Sequence, residues 1–130
     1  MSRTLATRIA GAVLATGAAG AIALAGAGAA NAQSYSSTAL APGQGTCSTS
    51  QYASYQVRGD GWATGQGAKF KLVRNGVVVN STPGRVNNWA FESRTAYGNF
   101  AGPGYYSVCA QNTGTTTTIV TLQLRTDYEF

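Results

Sequence analysis

The sequence predicts an all-β fold: a small antiparallel sandwich of roughly six to seven short strands, closed by one disulfide. Three observations predict it. Beyond residue 32 no stretch has helical periodicity, and short alternating runs are separated by Gly-rich turns. Asn75-Gly76 stands between two runs rich in β-branched residues, which is the strongest local sign of a hairpin. The chain has two cysteines, Cys47 and Cys109, and it opens like an exported protein.

The opening supports that compartment. Arg3 and Arg8 give a positive start, and from Ile9 to Ala30 the chain holds only Ala, Gly, Val, Leu, Ile and one Thr. Ala30-Asn31-Ala32 then forms a small-x-small cleavage site before Gln33. A membrane anchor of similar length is the competing reading. Gly and Ala are poor spanning residues, however, and no basic stop-transfer flank follows, so residues 1–32 are predicted to be a removed signal peptide. Its Ala- and Gly-heavy style resembles signal peptides of high-GC Gram-positive bacteria. Cys47 lies too far from the cut for lipid attachment. The expected mature product is secreted, without a membrane association.

About 98 residues then remain, enough for one domain. Loss of Arg3 and Arg8 reduces nine basic residues to seven against four acidic ones, a net charge of about +3. That mild excess is too sparse for a nucleic-acid binder. Oxidising export predicts a Cys47–Cys109 disulfide rather than two free thiols. Its long loop is worth about 4 kcal/mol in the chain-entropy account, a large share of the net stability of a small domain.

Taken in order, residues 33–45 (QSYSSTALAPGQG) are predicted to be a flexible leader with at most a short strand near 38–40. A single β domain over 46–130 follows. Residues 47–58 alternate Ala53, Tyr55 and Val57 against Ser54, Gln56 and Arg58, a strand with one wet face. Gly59-Asp60-Gly61 is predicted to end it in a turn. Around Asn75-Gly76 a two-residue turn pairs Arg74 with Val77 and Leu72 with Val79. Phe70, Leu72, Val77 and Val79 then share one face, and Lys69, Lys71 and Asn80 the other. Residues 88–93 and 105–111 are further strands, and 97–104 is a loop. Residues 115–125 form the last strand, with Thr118, Val120, Leu122 and Leu124 facing the core.

The run Gly104-x-Tyr106-x-Val108-x-Ala110-x-Asn112 resembles the penultimate strand of many bacterial immunoglobulin-like domains. The resemblance spans nine residues and implies an immunoglobulin-like or related sandwich. Alternation along this strand sends Cys109 away from the core, so the disulfide is expected on an outer face or rim unless a bulge shifts the register.

Chemistry is sparse. The chain has no histidine, which removes Ser-His-Asp and Cys-His mechanisms and the commonest transition-metal ligand. With both cysteines paired, soft metal sites lose their ligands too. No enzyme activity, metal or cofactor is expected. Asp60 and Glu92 are the one carboxylate pair in the body of the domain on which a glycosidase could be built, and a turn residue plus a solvated strand residue explains them as well. Asp127 and Glu129 are assigned to a terminal tail. Arg58-Gly59-Asp60 spells an adhesion tripeptide that the turn already explains.

The candidate contact residues are therefore the aromatics Trp62, Trp89, Tyr97 and Tyr105, with Lys69, Lys71 and Arg74 as a basic surface around the hairpin. Trp62 leads, because its surroundings look loop-like and a large ring on a loop suggests a contact surface. Against this stands core packing, which claims most aromatics in small domains. The leading expectation is a non-catalytic extracellular binding module for cell-wall glycan, another polysaccharide or a secreted protein. A secreted enzyme inhibitor or toxin-like effector, with the loop at Pro83-Gly84-Arg85-Val86, is the alternative. A glycoside hydrolase using Asp60 and Glu92 ranks last.

Overall fold

The computed structural model describes residues 34–130; the predicted signal peptide, 1–32, lies outside the described residues. Nine strands are present: β1 Ser34–Leu40, β2 Gly45–Cys47, β3 Gln51–Ala53, β4 Gln56–Ala63, β5 Lys69–Arg74, β6 Val77–Ser81, β7 Asn88–Arg94, β8 Gly104–Gln111 and β9 Thr118–Thr126. Two 3-10 turns, Thr95–Tyr97 and Asp127–Glu129, are the only helical pieces among them. One antiparallel sheet has the order β1-β9-β4-β7. In the other, β2 and β3 both pair with β8, followed by β5 and β6. The result is the antiparallel sandwich expected, with more strands than expected.

The core lies between the sheets. Val57 from β4, Phe70 and Leu72 from β5, Tyr106 and Val108 from β8, and Val120, Leu122 and Leu124 from β9 are fully buried. Thr118, Val120, Leu122 and Leu124 face inward as alternation predicts. Burying one such side chain is worth about 1.5–3 kcal/mol, so this set is a substantial part of the drive to fold.

Several local expectations are corrected. The flexible leader over 33–45 is replaced by a full strand: β1 pairs with β9 from Leu40↔Thr118 to Ser34↔Leu124. Its inward positions are mostly Ser and Thr, so no apolar alternation marked it. The single strand over 47–58 is three pieces, because the chain leaves β8's sheet after β3 and enters the other sheet at β4. The carboxylate of Asp127 holds that crossing by accepting from the backbone N–H groups of Ser54 and Tyr55 at 2.9 and 3.0 Å. Asp127 and Glu129 are thus a docked 3-10 turn, with the Glu129 side chain accepting from Thr126 N–H at 2.9 Å.

Gly59-Asp60-Gly61 is the middle of β4, not a turn. The two glycines point inward and leave room for rings: a Cβ on Gly59 would lie 2.8 Å from Val108 Cγ2, and one on Gly61 2.4 Å from the Phe70 ring. Phe70 and Trp89 stack at 5.9 Å with planes 5° apart, pressed against this glycine floor. A side chain at either position would displace them.

The hairpin is present, with Asn75 at φ 48° and Gly76 at φ 83°, both positive as the two-residue turn requires. Its register is not the simple one. Arg74 faces Val77, but a bulge after Leu72 opposes Leu72 to Asn80 instead of Val79. Val77 consequently sits in solvent at 68% exposure, while Val79 still packs against the core.

The Cys47–Cys109 disulfide is present, joining directly opposed residues of β2 and β8 with Cα atoms 4.0 Å apart. It lies on the outer side of the sheet, since Tyr106, Val108 and Ala110 take the inner side. The last two strands belong to different sheets, whereas the immunoglobulin order places the final strand beside the penultimate one. The sandwich is thus of a related kind. One immunoglobulin-like device is shared: the Tyr106 hydroxyl donates back to Gly102 O at 2.6 Å, tying the loop before β8 to the strand.

Candidate functional site

The outer face of the β1-β9-β4-β7 sheet divides into two halves. At one end three cations and two carboxylates form one ion-pair network. Arg58 binds Asp60 at 2.9 Å and Glu92 at 2.7 Å, Arg94 binds Glu92 at 2.7 Å, and Arg125 binds Asp60 at 3.1 Å. Asp60 is only 4% exposed although it lies on an outer face. Phe130 helps to close this half, with its ring 4.6 Å from the Arg94 guanidinium carbon and 5.8 Å from that of Arg125. The bond to Asp60 foremost raises the Arg58 pKa further above its already high value.

This geometry bears on the carboxylate pair. One guanidinium stands between Asp60 and Glu92 and bonds to both, and a second cation holds each of them from the far side. A glycosidase needs its two carboxylates across an open space that admits a sugar and, in inverting enzymes, a water. Here that space holds Arg58. The adhesion tripeptide is likewise embedded: Arg58 and Asp60 bind each other within a central strand.

The other half of the face is open. Strand pairing places Trp62 opposite Thr121 on one side and Asn88 on the other, with Ser37 beyond Thr121. The next row carries Tyr35, Gln123 and Ala90 beside Asp60. Ile119 and Ala39 are opposed on β9 and β1 beyond Trp62. Trp62 is 40% exposed and Tyr35 66%. This half is uncharged: two exposed aromatic rings and exposed Ile119 among hydroxyl, amide and small apolar groups. Tyr35 went unpicked because the segment holding it lacked an apolar repeat.

The predicted contact residues do not converge on one site. Trp62 is where the open face centres, though on a strand instead of a loop. Trp89 turns inward, half-buried and stacked on Phe70 with its indole N–H 3.4 Å from Asn80 Oδ1, so its ring packs against the core. Tyr97 is exposed in the 3-10 turn after β7, with the Arg94 guanidinium 5.3 Å from its ring. Tyr105 lies on the opposite sheet, edge-on to Tyr52 at 5.3 Å. Lys69 and Lys71 point out of that same sheet. Arg74 does not join them, because its Nε and Nη2 donate to the carbonyls of Gly102 and Pro103. The proposed protruding loop is tied down by reciprocal Ala68–Val86 backbone bonds of 3.0 and 2.9 Å.

Among the described residues no group of three or more His, Cys, Asp or Glu is placed to hold a metal ion. No helix among them is long and apolar enough to cross a membrane. No protein-family model matches the chain, and no curated protein matches it in sequence.

Proposed function

We propose that this chain is an exported, non-catalytic binding module that holds a neutral polysaccharide against the open half of its β1-β9-β4-β7 sheet, with Trp62 as the stacking platform. The observation that carries this is the setting of Trp62. A 40% exposed indole stands on a central strand, fixed by pairing on both sides. Its ring is presented by a rigid scaffold, so little conformational entropy is lost when a flat sugar face settles on it. The hydroxyl and amide groups of Thr121, Asn88, Ser37 and Gln123 surround it, the groups that exchange hydrogen bonds with sugar hydroxyls. The charged side chains of this face are gathered in the ion-pair network at its other end, and the residues around Trp62 are uncharged, which favours an uncharged ligand there. The disulfide is compatible with an oxidising location outside the cell, and the residue 1–32 signal is the proposed route there.

Co-sedimentation tests the reading. Oxidised protein from Gln33 to Phe130 is mixed with insoluble chitin, cellulose and peptidoglycan at low and high salt. Pelleting with at least one should resist salt. Trp62→Ala should weaken it by roughly tenfold or more, the loss expected for one aromatic anchor. A protein that stays in the supernatant with every glycan sinks the proposal and points to a protein ligand.

A further inference from the structure

We infer that the opposite sheet carries a second, separate site that takes an acidic polysaccharide. A cleft of about 340 Å³ lies on the outer side of the β2/β3-β8-β5-β6 sheet, and its lining includes Lys69, Lys71, Ser81, Gln111, Thr113 and Cys109. Lys69 and Lys71 alternate outward along β5 with Phe70 buried between them. Their stems therefore rise from the same wall about 7 Å apart. Arg85 is held beside the lining residue Thr113, to whose carbonyl its Nη1 donates at 3.2 Å.

The distribution of charge says what these cations meet. All four carboxylates of the chain are engaged elsewhere. Asp60 and Glu92 belong to the arginine network on the other sheet. Asp127 caps Ser54 and Tyr55, and Glu129 caps Thr126. Among the described residues no carboxylate forms an ion pair with Lys69, Lys71 or Arg85. Like charges gathered without counter-charge repel one another, and an anionic ligand relieves that repulsion.

The shape of the site selects among anions. Lys69 and Lys71 stand two residues apart on one strand instead of converging on a point, which suits charges repeated along a polymer better than one small ion. The exposed polar neighbours are a hydroxyl from Ser81, a hydroxyl from Thr113 and an amide from Gln111, groups that bond to sugar hydroxyls, and exposed Val78 adds an apolar edge. The one ring in the lining, Phe70, is 1% exposed, so the cleft offers no platform on which nucleic-acid bases stack. Acidic sugars fit where single-stranded nucleic acid does not. The site is independent of Trp62, on the far side of the sandwich.

Affinity electrophoresis of the oxidised protein through gels holding polygalacturonate, dextran or single-stranded DNA decides the matter. Polygalacturonate should retard the protein and dextran should not do so through this cleft. The Lys69→Gln/Lys71→Gln double variant should bind polygalacturonate about tenfold more weakly, and raised salt should weaken the wild type comparably. Trp62→Ala should leave this binding unchanged, which separates the two sites. Both lysines are exposed, and circular dichroism confirms that the variant is folded. Wild-type protein unretarded by polygalacturonate, retardation unaffected by the double variant, or stronger retardation by DNA would each overturn the inference.

Discussion

Gly61 shows how much one missing methyl group decides. A Cβ there would lie 2.4–3.0 Å from three Phe70 ring atoms, and behind Phe70 stands Trp89 in a parallel stack. Neither ring can retreat cheaply inside a close-packed core. Gly61→Ala should therefore lose about 1–3 kcal/mol by overpacking despite favouring the extended backbone. Urea unfolding would measure it, and combining the change with Phe70→Leu should cost less than the two separate losses added together. Additive losses would mean that the two sites do not touch energetically. The consequence reaches function: Trp62 is the next residue on β4, and its side chain holds its place because Gly61 lets the strand lie against Phe70.

At the scale of elements, the loop before β8 is held by two devices. The Tyr106 hydroxyl donates to Gly102 O, and Arg74 donates to Gly102 O and Pro103 O. Burial raises the Tyr106 pKa above its ordinary value of 10.0, and nearby Arg74 pulls it partly back. A phenol whose folded pKa is raised keeps its proton longer folded than unfolded. Its contribution is complete below pH 10 and is lost as pH rises from there through the folded value. Tyr106→Phe should cost about 1 kcal/mol near neutrality by removing one buried hydrogen bond. The gap between wild type and variant should then narrow above about pH 10. Tyr55 is also raised, first by burial and then by its neighbours Tyr128 and Asp127, so the difference between the two proteins is the quantity to follow, not the slope of either. A gap that stays constant into alkaline pH would show that Tyr106 does not carry the effect.

For the whole molecule the disulfide is the longest covalent constraint, joining residues 62 positions apart. It stitches β2, the short strand at the sheet edge, to β8. β2 pairs over only three residues, and the disulfide adds a covalent tie to that short pairing. Cys47 is exposed, so a reductant can reach the bond. Reduction, or Cys47→Ala with Cys109→Ala, should lower stability by up to about 4 kcal/mol, measured by denaturant titration. The β1-β9-β4-β7 face lies on the other sheet, so any glycan binding there should survive reduction wherever the protein remains folded. Loss of binding in a still-folded reduced protein would show that the two sheets are coupled.

Local pattern alone determined the all-β class, the Asn75-Gly76 turn, the inward set of β9 and the outward direction of Cys109. Each depends on neighbours a few residues apart: two consecutive positive-φ positions, or a period of two along one strand. The glycines at 59 and 61 misled for the same reason. Locally, Gly-Asp-Gly favours a turn, and only the arrival of Phe70 and Trp89 from other strands makes those glycines part of a flat strand. β1 was hidden because its inward residues are small and polar, and pairing with β9 is what gives them a face. The fate of the aromatics was also tertiary, because a ring on a strand becomes core or contact surface according to which sheet face its strand turns outward. Trp89 turned in and Trp62 turned out. The separation of charge, with every carboxylate held away from Lys69 and Lys71, likewise exists only once distant segments are brought together. Sequence specified what each strand prefers, and the packing of two sheets decided which preferences were met.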